Sequence, residues 1–148
     1  MGSEFTFYDY VEDGQNLIHD WIITEAKPVR LKITQFVNHL EGTGKGHWAR
    51  PMADTLTGYC DGLFEMRPKK GNIQYRILGY HGPNTNKGQV TLLLGFIKSG
   101  GQVPKWACDE ARRRIGKIGT DPNSKVVSHD HSAGKVATNL GESRRPGV

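Results

Sequence analysis

Cysteine is scarce in this sequence: Cys60 and Cys108 are the only two among 148 residues. Their spacing matches neither a metal-binding nor a redox motif, which argues against a disulfide framework and for a reducing compartment. Long hydrophobic runs are missing as well. No stretch approaches the roughly 20 apolar residues that a membrane-spanning helix needs, and no secretory signal is visible. A cytoplasmic protein without a membrane partner is therefore expected. The Walker loop, the dinucleotide-binding glycine pattern and the HExxH metal motif are also missing, and Gly44-Lys45-Gly46 lacks the spacing of a phosphate loop. Neither a cofactor nor a metal is expected.

What is present is a globular composition with a basic balance. Apolar residues make up 36% and charged residues 24% of the chain. A chain of this length buries roughly two-thirds of its unfolded surface as one domain. Lys and Arg number 20 against 15 Asp and Glu, a surplus that favours polyanionic partners. The opening Met1-Gly2-Ser3-Glu4-Phe5 reads like a cloning scar.

Periodicity predicts an α+β order. A short strand covers residues 5–11, and Asp13-Gly14 breaks it. Leu17, Ile18, Trp21 and Ile22 recur at helical spacing over about 15–26. Pro28 opens a second helix with Val29, Ile33, Phe36, Val37 and Leu40 in one stripe, ended by Glu41-Gly42-Thr43-Gly44. The two form a helix hairpin. After a polar connection come three strands at 63–67, 73–80 and 90–98, joined by turn-rich segments that imply an antiparallel meander. A last helix starts at Pro104, with Cys108, Ala111, Ile115 and Ile118 on its buried face. Periodicity fades from Gly119, so 5–118 is read as the domain and 119–148 as a flexible tail. In that tail, His129-Asp130-His131 has a metal-compatible spacing but reads as merely polar. The expectation is a two-layer fold, a helix hairpin on a small antiparallel sheet, with a C-terminal helix.

Strand alternation assigns the faces. Gln74, Arg76, Leu78 and Tyr80 share one face, and Tyr75, Ile77 and Gly79 the other. Leu63, Glu65 and Arg67 lie together, as do Leu92, Leu94, Phe96 and Lys98. Arg67, Arg76 and Lys98 thus converge on one sheet, where they would repel one another without an anionic guest. With Lys69, Lys70, Tyr75, Tyr80 and His81 nearby, such a surface can grip phosphodiesters and stack on bases. It also suits metal-independent RNA cleavage, in which a base takes the 2′-hydroxyl proton and cations stabilise the added charge. His47, Trp48 and Arg50, in the polar connection, could touch RNA, though Trp48 is better placed to pack over the sheet.

An ordered set of blocks carries a resemblance. Arg50-Pro51-Met52, Asp61-Gly62-Leu63-Phe64-Glu65-Met66-Arg67, Tyr75-Arg76-Ile77-Leu78, Leu93-Leu94-Gly95-Phe96-Ile97-Lys98, Val103-Pro104 and Ala111-Arg112 follow one another at fixed spacings. Together, over about 5–118, they resemble the phage-derived, HigB-like branch of the RelE/ParE toxin superfamily. The resemblance implies a RelE-like fold and the toxin of a type II toxin–antitoxin system. Its activity would be cleavage of mRNA on the ribosome, and a HigA-like helix-turn-helix antitoxin would neutralise it. Carried over by position, Arg67, Arg76 and Lys98 are the catalytic candidates; Glu65 matches too and is read as structural, orienting Arg67 or Arg76. Ser99 stands where the family pattern has a second lysine. Two other functions fit the same scaffold: a ParE-like poison of DNA gyrase, and a phage protein that binds nucleic acid or protein without catalysis.

Overall fold

The computed structural model describes residues 5–43 and 48–131. Strand β1 (Thr6–Glu12) turns at Asp13-Gly14, both with positive φ, into the two-residue strand β2 (Gln15–Asn16). Asn16 then caps helix α1 (Leu17–Ile23), its side-chain oxygen accepting from the N–H groups of Ile18 and His19. Helix α2 (Lys27–Thr43) buries Ile33, Val37 and Leu40, residues of the stripe that the spacing predicts. Next come β3 (Ala53–Thr55), a 3-10 turn over Gly58–Cys60, β4 (Phe64–Met66), β5 (Lys69–Lys70), β6 (Ile73–His81) and β7 (Gln89–Lys98). Helix α3 (Lys105–Lys117) and strand β8 (Ser124–Ser128) complete the described chain.

The mixed α+β class is as expected, but the sheet is neither small nor wholly antiparallel. It has eight strands in the order β2-β1-β7-β6-β4-β3, with β5 added on β6 and β8 on β1. β4, β6 and β7 run antiparallel, as short turns dictate. β1, however, lies parallel to β7, from Thr6↔Gln89 to Asp9↔Leu92. A parallel pair needs a long crossover, and the whole chain between the two strands supplies it.

The two-layer expectation is also corrected, because helices cover both faces. On one face Ile18, Ile22, Ile33, Val37 and Leu40 pack against Phe7, Ile77 and Leu92. On the other, Ala107, Cys108 and Ala111 of α3 pack against Leu78, Leu93, Leu94 and Phe96. Helix α1 lies mainly on β1 and β7 rather than on α2, so these two helices are laid side by side on a sheet and do not form a self-contained hairpin. Each such face removes several large side chains from water, at roughly 1.5–3 kcal/mol apiece.

A bulge changes the facing of β7. Leu78 pairs with Leu94 but Gly79 with Leu92, which leaves Leu93 as the extra residue. Leu92 therefore joins the α1–α2 face, away from Leu94 and Phe96, with which strict alternation had grouped it. Beyond the bulge, Gly95 faces α1, and a Cβ at this position would overlap the Trp21 ring.

Part of the expected tail is folded. β8 pairs antiparallel with β1 over five residues, from Tyr8↔Ser128 to Glu12↔Ser124, and the Tyr10 hydroxyl donates to Glu12 Oε1 at 2.7 Å and lies 3.1 Å from Ser124 Oγ. The strand is short and polar at both ends, so it left no periodic trace. His129 follows it into the interior at 3% exposure, Nδ1 2.7 Å from Asp9 Oδ1. Asp130 and His131 then reach His19 and Glu41. The rest of the expected tail, 132–148, lies outside the described residues, as does 44–47, which holds the Gly44-Lys45-Gly46 segment and His47. No helix among the described residues is long and apolar enough to cross a membrane.

The expectation about cysteine is overturned. Cys60 and Cys108 form a disulfide across a sequence separation of 48, with Cα atoms 5.5 Å apart. Spacing gave no hint of it, because it is the docking of α3 on the sheet that brings Cys108 to the 3-10 turn. For a loop of this length, constraint of the unfolded chain contributes about 4 kcal/mol in the entropic account. Replacing both cysteines by alanine is expected to lower the unfolding free energy in urea by about 2–4 kcal/mol. Dithiothreitol should produce the same loss in the parent chain and none in the double variant.

Candidate functional site

Beyond the apolar patch that α3 covers, the same face of the sheet turns polar. Cross-strand register places Gln74 opposite Lys98, Arg76 opposite Phe96, and Glu65 opposite Leu78. Asp54 pairs with Glu65 on the outermost strand. Two hairpin-like connections therefore deliver cations from three strands to one end of the sheet.

Glu65 is the centre of this group. Its side chain is 1% exposed, and its two oxygens serve two arginines. Oε1 accepts from Arg67 Nη1 at 2.9 Å, and Oε2 lies 3.2 Å from Arg76 Nε. The second contact is an ion pair poorly aligned for a hydrogen bond, and neither of its atoms has another hydrogen-bond partner among the described residues. Arg76 is itself buried at 2% exposure and donates to the Tyr75 carbonyl at 2.9 Å and to Gln74 Oε1 at 2.5 Å. The anionic guest that the converging cations require is thus built into the chain. Glu65 contacts both arginines, where its expected role was to orient one of them.

The remaining cations are more accessible. Arg67 also donates from Nε to the Pro51 carbonyl at 3.2 Å. Arg50 grips Asp54 at 3.0 Å and is largely exposed. Lys98 is partly exposed and has no salt-bridge partner among the described residues. Burial pushes its ammonium below the ordinary lysine range; Arg76, Arg67 and Arg50 push the same way, and Glu65 opposes them. Arg76 is lowered too, by burial first and by Arg67 second. Across Arg50, Arg67, Arg76 and Lys98, against Asp54 and Glu65, four cations face two carboxylates.

Two grooves flank the Glu65 cluster. One, of about 410 Å³, is lined by Arg50, Glu65, Lys98 and Lys105 among others. The other, of about 420 Å³, runs between α2 and the β5–β6 turn and is lined by Lys32, Arg67, Lys69 and Arg76. Lys69 therefore lies with the cluster, whereas Lys70, opposite Ile73, alternates to the other side.

The three aromatic candidates lie elsewhere. Tyr75 is 2% exposed and packs edge-on to Trp21 under α1, because alternation turns it away from Arg76. Tyr80 and His81 end β6, about 15 Å from Arg76 at strand rise. His81 is enclosed by Phe5, Trp48 and Phe64, and Tyr80 is half-buried against the α3-side core. Phe5, the last residue of the scar-like opening and the first of the expected strand, belongs to this aromatic cluster, and Trp48 packs over the sheet end as expected. The sequence marks Arg50 as a residue that could touch RNA but not as a member of the catalytic group. Its signal was the i,i+4 spacing to Asp54, which ties it to the strand next to Glu65.

The model for the family described as "Phage derived protein Gp49-like (DUF891)" matches residues 20–116. The chain belongs to this Gp49-like family. It is a RelE/toxin-like family, and the match takes in every cation of the cluster while leaving out β1 and β8. Comparisons with curated proteins and with solved structures give no match.

In this Gp49-like chain the field around Lys98 sets a pH test. A depressed ammonium pKa means more neutral amine at a given pH than ordinary lysine has. Observed by NMR, Lys98 is expected to titrate below 10.5, the ordinary value. Because the Glu65 carboxylate holds that pKa up, Glu65→Gln should move the titration to still lower pH. An unchanged midpoint would show that the carboxylate does not act on Lys98.

Proposed function

We propose that this phage-derived, toxin-like protein is a metal-independent endoribonuclease of the HigB-like kind, acting on mRNA in the ribosome. The observation that carries the reading is Lys98: a partly exposed amine of lowered pKa, free of ion pairing among the described residues, beside three guanidinium groups. Burial and neighbouring guanidinium groups favour the neutral amine, the form in which a lysine can act as a base.

In the proposed reaction, neutral Lys98 takes the proton of a ribose 2′-hydroxyl. The oxygen attacks the adjacent phosphorus, and the bond to the 5′-oxygen breaks. That oxygen takes a proton from water in the open groove, leaving a 2′,3′-cyclic phosphate and a 5′-hydroxyl. Arg50, which lines the same groove as Lys98, would stabilise the added charge on the phosphate, while Arg67 lines the groove on the other side of Glu65. Arg76, buried against Glu65 and donating to Tyr75 and Gln74, acts through Glu65 as a positioning residue. With Ser99 in place of a second lysine, the chemistry rests on a single amine. A HigA-like helix-turn-helix antitoxin is the partner this reading entails.

Lys98→Gln is the cleanest variant, since it breaks no ion pair among the described residues. Induced expression followed by mapping of mRNA 5′ ends should show cuts within translated frames. Lys98→Gln should lower cutting about 100-fold or more while leaving the melting temperature near that of the parent. Intact mRNA together with arrested DNA supercoiling would instead establish gyrase poisoning.

A further inference from the structure

The groove that starts at Lys98 continues past the reacting end of the site. One wall is the segment Thr55–Cys60, and the other is Gly101–Lys105 at the start of α3. Tyr59 stands on the first wall at 51% exposure, one of the few large hydrophobic side chains left in solvent. It is held firmly for an exposed ring. Its hydroxyl donates to Asp109 Oδ1 at 2.6 Å, its neighbour Cys60 is bonded to Cys108, and Arg112 donates to the Asp61 carbonyl at 2.9 Å. Lys105 Nζ and the Arg112 guanidinium approach the ring at 5.1 and 5.6 Å from its centroid.

We infer that this end of the groove is a nucleobase subsite, in which Tyr59 stacks on a base of single-stranded RNA while Lys105 meets the adjoining phosphate. The inference rests on the proposed function, since it assigns the groove's far end to the same strand that Lys98 engages. Three observations support it. The groove's volume of about 410 Å³ falls in the range of about 300–1,000 Å³ that small ligands occupy. Its carboxylates Asp54 and Glu65 are already neutralised by arginines, whereas Lys98 and Lys105 have no salt bridge among the described residues. Aromatic platforms interleaved with cations are how single strands are held without reading sequence. Tyr59 is tethered by its hydroxyl, and its neighbours Cys60 and Asp61 are held by the disulfide and by Arg112, so little order is lost when a base arrives.

The test uses the full, oxidised chain labelled with 15N and two probes: a short 2′-O-methyl RNA of mixed sequence, which cannot be cut, and the same backbone with abasic positions throughout. The base-bearing probe should shift amide signals around Tyr59 and Lys105. Tyr59→Ala should weaken that probe roughly 5- to 150-fold and leave the abasic probe unchanged, and Tyr59→Phe should bind like the parent. Equal effects of Tyr59→Ala on both probes, or none on either, would overturn the subsite. Loss of RNA cutting in Lys98→Gln without any Tyr59 effect would uphold the chemistry and overturn the subsite. Tyr59-dependent binding by a chain that cuts nothing would uphold the subsite and overturn the nuclease. Absence of shifts up to millimolar RNA would overturn the subsite.

Discussion

The Glu65 carboxylate, buried between Arg67 and Arg76, sustains the whole basic end of the sheet. Removing a carboxylate from water costs several kcal/mol, and so does burying a guanidinium; each is tolerable only because the other is there. With Glu65 in place, Arg76 can be packed beneath the surface, its Nη atoms donating to Tyr75 and Gln74 and its Nε lying against Glu65 Oε2. Arg67 can then lean toward one groove and Lys98 toward the other. Without it, four cations within reach of one another would push the strands apart or force lysine to give up its proton entirely.

The rest of the fold serves to hold those strands in register. α1 and α2 bury one face of the sheet and α3 the other, so β4, β6 and β7 are sandwiched where most of their side chains are apolar. The Leu93 bulge turns two successive leucines toward α3, and past it Gly95 lets Trp21 lie flat on the strand. The disulfide then fixes the 3-10 turn to α3, which shapes the groove running away from Lys98. The β1–β8 pair, outside the span of the family match, seals the far side of the sheet and is locked by the buried Asp9–His129 contact.

Much of this was legible in the residues, and the failures have physical causes. Alternation placed Gln74, Arg76 and Lys98 on one face correctly, because β6 and β7 are regular at that end. The same rule misplaced Leu92, since a bulge resets the count and leaves no mark in a run of leucines. It also set Tyr75 opposite Arg76, and nearness in sequence was then mistaken for nearness in space. The repulsion among cations was read as a call for an outside anion, when Glu65, two residues from Arg67, supplies an internal one. Pairing of Cys60 with Cys108 and of β8 with β1 depends on long-range docking, which local patterns do not encode.

The dependence on Glu65 is tested most directly by a double-mutant cycle on unfolding free energy with Glu65→Gln and Arg76→Met. Each single change leaves a buried group without its partner and is predicted to cost about 3–5 kcal/mol. The double variant should cost less than their sum by about 1–3 kcal/mol, because neither orphan then remains. Strictly additive losses would contradict the account, and the basic end of the sheet would have to be held by something other than this carboxylate.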